Sequence, residues 1–225
     1  MEMTMIFLSE KMKVNSMNEI IGDPEFHCEP TPAEPKPETV FVYDVMIDIE
    51  TMSLSKHNAL ILSIGMVEFD ASQRDGLRFG KRSLLLPSIL HQLALGREVS
   101  KSTQKFWMDQ SPGAKEHWLW HADDQQPLAD IIRHVREFTA VAPRIWANGT
   151  QFDLSNIEHL ADQIGETEPV WYYQKPRDMR TFCAETPQSR IMDIGPALDP
   201  AGYPHEPIHD CIVQAHRVWS HWQEK

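Results

Sequence analysis

Residues 40–51 read Val-Phe-Val-Tyr-Asp-Val-Met-Ile-Asp-Ile-Glu-Thr. From Val40 to Ile49 the run is rich in β-branched and aromatic side chains, which predicts a buried strand. Side chains two apart on a strand share a face, so Asp48 and Glu50 project together while Ile47 and Ile49 face the other way. Paired carboxylates repel unless a cation sits between them. Hard oxygen ligands in that arrangement suit Mg²⁺ or Mn²⁺. The bland alternative is a strand end carrying solvated acids before a turn. Asp44 shares the face but lies about 13 Å back along the strand, too far to join.

Working outward, Asn58 to Asp70 holds a second strand-like run, ALILSIGMVEF, and Arg82 to Leu86 a third, ended by Pro87. Strands joined so closely should pair antiparallel. Helical periodicity follows. Ser102 to Gln110 reads as a short helix, and Leu128, Ile131, Ile132, Val135 and Phe138 fall on one face of the next. Arg144 to Asn148 (RIWAN) is a short apolar strand. Leu154, Ile157, Leu160, Ala161 and Ile164 mark a helix closed by Gly165, and Ile208, Ile212, Ala215, Trp219 and Trp222 mark the last one. Strands first, then strands alternating with helices, predict an α/β domain with a mixed sheet. Before Thr39 the chain changes character. Pro24 to Glu38 is rich in Pro and Glu and has little apolar surface to bury, so residues 1–38 read as a flexible tail and 39–225 as the folded domain.

Two further segments carry chemistry. Asn148 to Asp153 follows the RIWAN strand and leads into a helix, where α/β sheets place their sites. Asp153 is also a favoured helix N-cap, and both roles fit one residue. Near the end, His205-Glu206-Pro207-Ile208-His209-Asp210 spells HExxH, the helical zinc-protease pattern. Proline is accepted only in the first helical turn, so the helix should begin at Pro207 and leave His205 outside it. Two histidines split by a helix boundary need not share a face, and only Glu224 follows as an acid that could complete a zinc site.

Taken together, these segments resemble the DEDD exonuclease superfamily in its histidine subgroup, which is ribonuclease H-like. The family's first motif, D-x-E-T, is Asp48 to Thr51. Its second, an Asp after a strand often written N-x-x-F-D, is Asn148 to Asp153 with one extra residue. Its third, H-x-A-x-x-D, is His205 to Asp210 with Pro207 in place of Ala. Thr51 to Asp70, Phe106 to Ser111 and Arg177 to Thr181 are similar to prophage exodeoxyribonuclease VIII-type and ribonuclease T-like exonucleases, so the resemblance covers about residues 40–223. It implies a ribonuclease H-like mixed β-sheet flanked by helices, and a metal-dependent 3′–5′ exonuclease that removes 5′-mononucleotides from single-stranded or overhang-bearing DNA or RNA. Two Mg²⁺ or Mn²⁺ ions would be held by Asp48, Glu50, Asp153 and Asp210, with Glu50 and His205 catalytic and His205 as general base. Thr51, Met52, Asn148, Arg177 and Arg180 would meet the substrate. For the two arginines, salt bridges with Asp178 and other acids compete with phosphate binding. Trp107, Trp171, Tyr172 and Tyr173 could stack bases, but core packing is the favoured role for most of them.

Bulk properties are consistent with this. The chain has 225 residues, 41% hydrophobic and 24% charged, as soluble globular domains do. Its three cysteines are scattered and odd in number, so neither a disulfide framework nor a CxxC zinc site is indicated. No apolar run approaches a membrane span, and the start lacks a signal-peptide core, so a cytoplasmic setting without membrane contact is expected. A net charge of −12 argues against a protein that wraps long nucleic acid. The expected partner is nucleic acid with a 3′ end; a homodimer is also compatible. The competing reading is a catalytically silent nucleic-acid- or protein-binding module on the same fold, against which the intact set of four acids and a histidine stands.

Overall fold

The computed structural model describes residues 42–119, 122–184 and 202–223. The opening run becomes β1 (Asp44–Thr51), buried at every position. Val45, Ile47 and Ile49 enter one core and Met46 enters another, so β1 is covered on both faces. Each such side chain removed from water stabilises the fold by about 1.5–3 kcal/mol. A strand with two apolar faces belongs at the centre of a sheet. β1 pairs antiparallel with β2 (Ile61–Asp70), which pairs antiparallel with β3 (Arg78–Leu85). On its other side β1 pairs parallel with β4 (Ile145–Ala147), and β4 with β5 (Pro176–Asp178). The five-stranded order is β3-β2-β1-β4-β5, the mixed sheet that the sequence predicts.

The helices are α1 (Ile89–Ala94), α2 (Lys101–Asp109), α3 (Pro112–Leu119), α4 (Leu128–Thr139), α5 (Asp153–Gln163), α6 (Met179–Cys183) and α7 (Pro207–Gln223). The apolar stripes of α4 and α5 cover one sheet face against Val45, Ile47 and Ile49. α7 covers the other with Cys211, Ile212, Ala215 and Val218. α2 starts at an N-cap, Ser100, whose side chain accepts from the Thr103 N–H. α5 ends as expected, because Gly165 takes φ +81° and lets Gly165 and Glu166 N–H bond back to Asp162 and Ala161 carbonyls.

Some elements differ from the sequence reading. β3 begins at Arg78 rather than Arg82, because the pairing of Arg78 with Asp70 and Phe79 with Phe69 extends it along an exposed edge. α1, α3, β5 and α6 were not anticipated. β5 is a three-residue edge strand with no apolar alternation, so only its pairing with β4 defines it. Asp44 sits apart from the site, as its distance requires. It accepts from Arg144 Nε at 2.9 Å and from Trp146 Nε1 at 3.0 Å. The expected tail, residues 1–38, lies outside the described residues. No helix among the described residues is long and apolar enough to cross a membrane.

Candidate active site

The site forms where three distant segments meet at the C-terminal end of β1. Asp48 and Glu50 project from the face covered by α7. A register shift between Glu50 and Thr51 breaks the ladder to β2 there, the kind of bulge that re-aims side chains beside sites. Asp153 is the first residue of α5 rather than its N-cap, which is Phe152, and it follows the loop of residues 148–152 after β4. One of its oxygens accepts from the Gly149 N–H at 3.2 Å, so it closes the loop that carries it. Asp210 lies in the first turn of α7. Its carboxylate accepts from the His205 backbone N–H at 3.1 Å.

α7 can bring Asp210 this close because of Gly65. Gly65 is the cross-strand partner of Asp48 on β2, and Pro207 rests directly on it. Cys211 continues the close approach, with Sγ 3.5 Å from the Met46 carbonyl and 3.4 Å from that of Gly65. The helix begins at Pro207, as the sequence reading requires, and His205 stands outside it with φ +66°, a left-handed value that costs a non-glycine residue energy. Its ring is held edge-on by Phe106 at 5.0 Å and Trp107 at 6.3 Å. His205 Nδ1 lies 4.0 Å from Glu50 Oε1. Glu206 caps the helix instead of acting as a base, since its carboxylate accepts from the Ile208 and His209 N–H groups at 3.2 and 2.6 Å. His209 is buried in the first turn of α7, and the ligand atoms that gather with His205 are those of Glu50 and Asp210 rather than of His209.

The electrostatics are strained. Burial pushes Asp48 well above the usual carboxylate range, and the facing Asp153 and Asp210 push it further. Burial does the same to Glu50, with Asp48, Asp210 and Asp153 adding to it. Asp153 is raised to about 6 by burial, although backbone N–H groups of Gly149 and Ile49 oppose the shift. Asp210 is raised by burial against the same kind of opposition from His205. Four carboxylates crowded in this way are a poor arrangement for a protein alone and a good one around hard cations. Glu50, His205 and Asp210 offer ligand atoms within 4.8 Å of one another. The donor set therefore fits a divalent cation.

Beside the acids opens a cleft of about 760 Å³. Leu54, Lys56, Asn148, Thr150 and Arg180 line it, with Asp48 and Asp153 also on its wall. Asn148 Oδ1 accepts from Arg180 Nε at 3.3 Å. Arg177 is not among the cleft residues; its guanidinium donates to the Gln174 and Pro176 carbonyls at 2.6 and 2.8 Å. Asp178 is spent on Thr150 and Thr181 N–H groups rather than on an arginine pair. The Thr51 hydroxyl bonds to the Ser53 carbonyl at 2.8 Å, and Met52 packs with Leu60, Leu62 and Trp107. Of the four aromatic candidates, Trp107 and Trp171 are core residues, while Tyr172 and Tyr173 are exposed.

Residues 43–222 match the family described as the 3′-5′ exoribonuclease Rv2179c-like domain. The chain belongs to this family. The match places residues 43–222 in a family of 3′–5′ exonuclease domains, and membership implies dependence on divalent metal. A search of curated protein sequences finds no match. Among solved structures, the Rv2179c-like domain is similar to exonuclease I, at 12% identity and a TM-score of 0.50 over 81% of this chain and 40% of that one. A zinc-bound E. coli exonuclease I complex with single-stranded DNA aligns at 11% identity and TM-score 0.49 over 81% and 40%. Cell-death related nuclease 4 aligns at 12% and 0.42 over 80% and 63%. The likeness to exonuclease I shows the ribonuclease H-like fold, and this chain spans about two fifths of that protein's length.

Sequence reasoning missed Gly65, Gln214 and Lys56. Gln214 was within reach, since it stands four residues after Asp210 and so on the same helix face. Lys56 and Gly65 gave no local signal.

Proposed function

We propose that the protein is a 3′–5′ exoribonuclease of the histidine-containing DEDD type. It removes 5′-mononucleotides from single-stranded or overhanging RNA 3′ ends, with two Mg²⁺ or Mn²⁺ ions. One observation carries the reading: Asp48, Glu50, Asp153 and Asp210, drawn from three distant segments, are gathered at one sheet end with His205 beside them. The choice of RNA over DNA rests on the family's description.

Asp48, Glu50, Asp153 and Asp210 would hold the cations. When bound, they would lower the pKa of an attacking water and stabilise the leaving 3′ oxygen. The imidazole of His205, whose Nδ1 lies 4.0 Å from Glu50 Oε1, would take the proton of that water. Asp210 fixes the His205 backbone, and Phe106 and Trp107 limit rotation of its ring. Arg180 and Lys56, both in the lining of the cleft, take phosphate oxygens of the RNA. Leu54, exposed in the same cleft, offers an apolar surface to a base. With a net charge of −12, the protein holds RNA through these local contacts rather than a broad basic surface.

The test uses 5′-labelled RNA and DNA strands of one sequence, each with a free or a blocked 3′ end, with Mg²⁺, Mn²⁺ or EDTA. The expected result is a ladder shortening from free 3′ ends, faster on RNA, absent in EDTA and stopped by the block. Internal cuts indifferent to the block would overturn the exonuclease reading, and faster degradation of DNA would overturn the choice of RNA.

A further inference from the structure

Asp210 is not the only α7 residue that reaches the acids on β1. One turn later, Gln214 donates its side-chain N–H from Nε2 to Asp48 Oδ1 at 2.7 Å. Gln214 is 6% exposed and sits among Cys211, Ile212, Ala215 and Val218, all fully buried. A position inside such a row would ordinarily carry another apolar side chain. Here it carries an amide, and the amide's other end, Oε1, is buried without a hydrogen-bond partner among the described residues. A buried polar group left half satisfied is unfavourable unless its satisfied half is needed. The satisfied half is the bond to Asp48.

We infer that Gln214 is a positioning residue: its amide fixes the rotation of the Asp48 carboxylate and so sets the divalent-cation affinity of the site. The inference rests on the reading of Asp48 as a metal ligand. The bond engages one lone pair of Oδ1, so Oδ2 is the oxygen left with both of its lone pairs for a cation. A carboxylate held at one oxygen presents the other in a single direction, and an unheld one must give up rotational freedom on binding. Because Gln214 and Asp210 lie on one face of one helix, α7 delivers a ligand and at the same time orients the ligand opposite it.

The test compares wild type with Gln214→Met, which keeps the length and apolar packing of the side chain but has no N–H, and with Gln214→Glu, which keeps its shape and turns the donor into an acceptor. Mn²⁺ binding is measured by calorimetry, melting temperature in EDTA, and kcat and KM for RNA across a Mn²⁺ series. We expect Gln214→Met to melt in EDTA at or above the wild-type temperature, since it removes the orphaned Oε1. Its Mn²⁺ affinity should fall by about 10- to 100-fold, the range found when groups that orient metal ligands are removed. Its KM for RNA should hold and its kcat recover at saturating Mn²⁺. Gln214→Glu should bind Mn²⁺ more weakly than wild type as well, and it carries the comparison if the Met variant does not fold. Wild-type Mn²⁺ affinity in a folded variant would overturn the inference alone. Failure of the wild-type protein to bind Mn²⁺ would overturn the metal-site reading and the inference with it.

Discussion

Gly65→Ala should test whether the site depends on how closely α7 approaches the sheet. A Cβ built on Gly65 falls 2.6 Å from both the carbonyl carbon and the oxygen of Pro207, and 2.8 Å from its Cβ. Ordinary contact begins at 3.4 Å, so the first turn of α7 must retreat by about 0.8 Å or the strand must bend. The atoms in the way are backbone and ring, which cannot swing aside as a flexible side chain would. Overpacking of this kind costs about 1–3 kcal/mol, or roughly 2–12 °C of melting temperature for a domain of this size. The larger effect should be on chemistry. Gly65 is the cross-strand partner of Asp48, and Pro207 lies between His205 and Asp210, so the retreat separates the acids of β1 from both. A misplacement near 1 Å costs on the order of 100-fold in rate. The assay is turnover of a 5′-labelled RNA at a temperature where unfolding curves show both proteins folded. A variant that is folded, melts as wild type and keeps full turnover would refute the claim that this contact sets the site.

Three further outcomes are expected. Asp153 has an ordinary pKa of 3.8 and a folded value of about 6, so as pH rises between these values the unfolded chain loses its proton first and folding is weakened, by on the order of 3 kcal/mol. In EDTA the melting temperature should therefore be higher at pH 5 than at pH 8, with Mg²⁺ or Mn²⁺ restoring it at pH 8; a metal-free profile that rises with pH would contradict the crowding of acids. His205→Ala should lose activity by about 100-fold or more, whereas His209→Ala, which empties a buried packing position, should chiefly lower the melting temperature; equal loss of turnover in two folded variants would undo the distinction. We also propose that residues 1–38 are dispensable on composition, so that their removal leaves melting temperature and RNA hydrolysis nearly unchanged; a large drop in either would show the opposite.

What the sequence determined by itself was whatever depends on local periodicity or covalent restriction. The two-residue period along residues 44–51 placed Asp48 and Glu50 on one face, and the β-branched run predicted a buried strand. Stripes at helical spacing located α4, α5 and α7, because one apolar face is what each helix buries. Pro207 fixed the start of α7, since its ring is admitted in the first turn only, and that set His205 apart from His209. The tertiary structure alone decided what depends on distant segments meeting. It made β5 a strand through pairing with β4, turned Arg177 onto its own backbone, and spent Glu206 on a helix cap. It set Lys56 on the cleft wall with Arg180, and Gln214 against Asp48. It also gave Gly65 its importance, which no neighbour in the chain announces: the missing Cβ matters because of Pro207, far along the sequence and directly above it in the fold. Periodicity is a property of a segment and can be read from it. Contact distance is a property of two segments and exists only once the sheet and helix have packed.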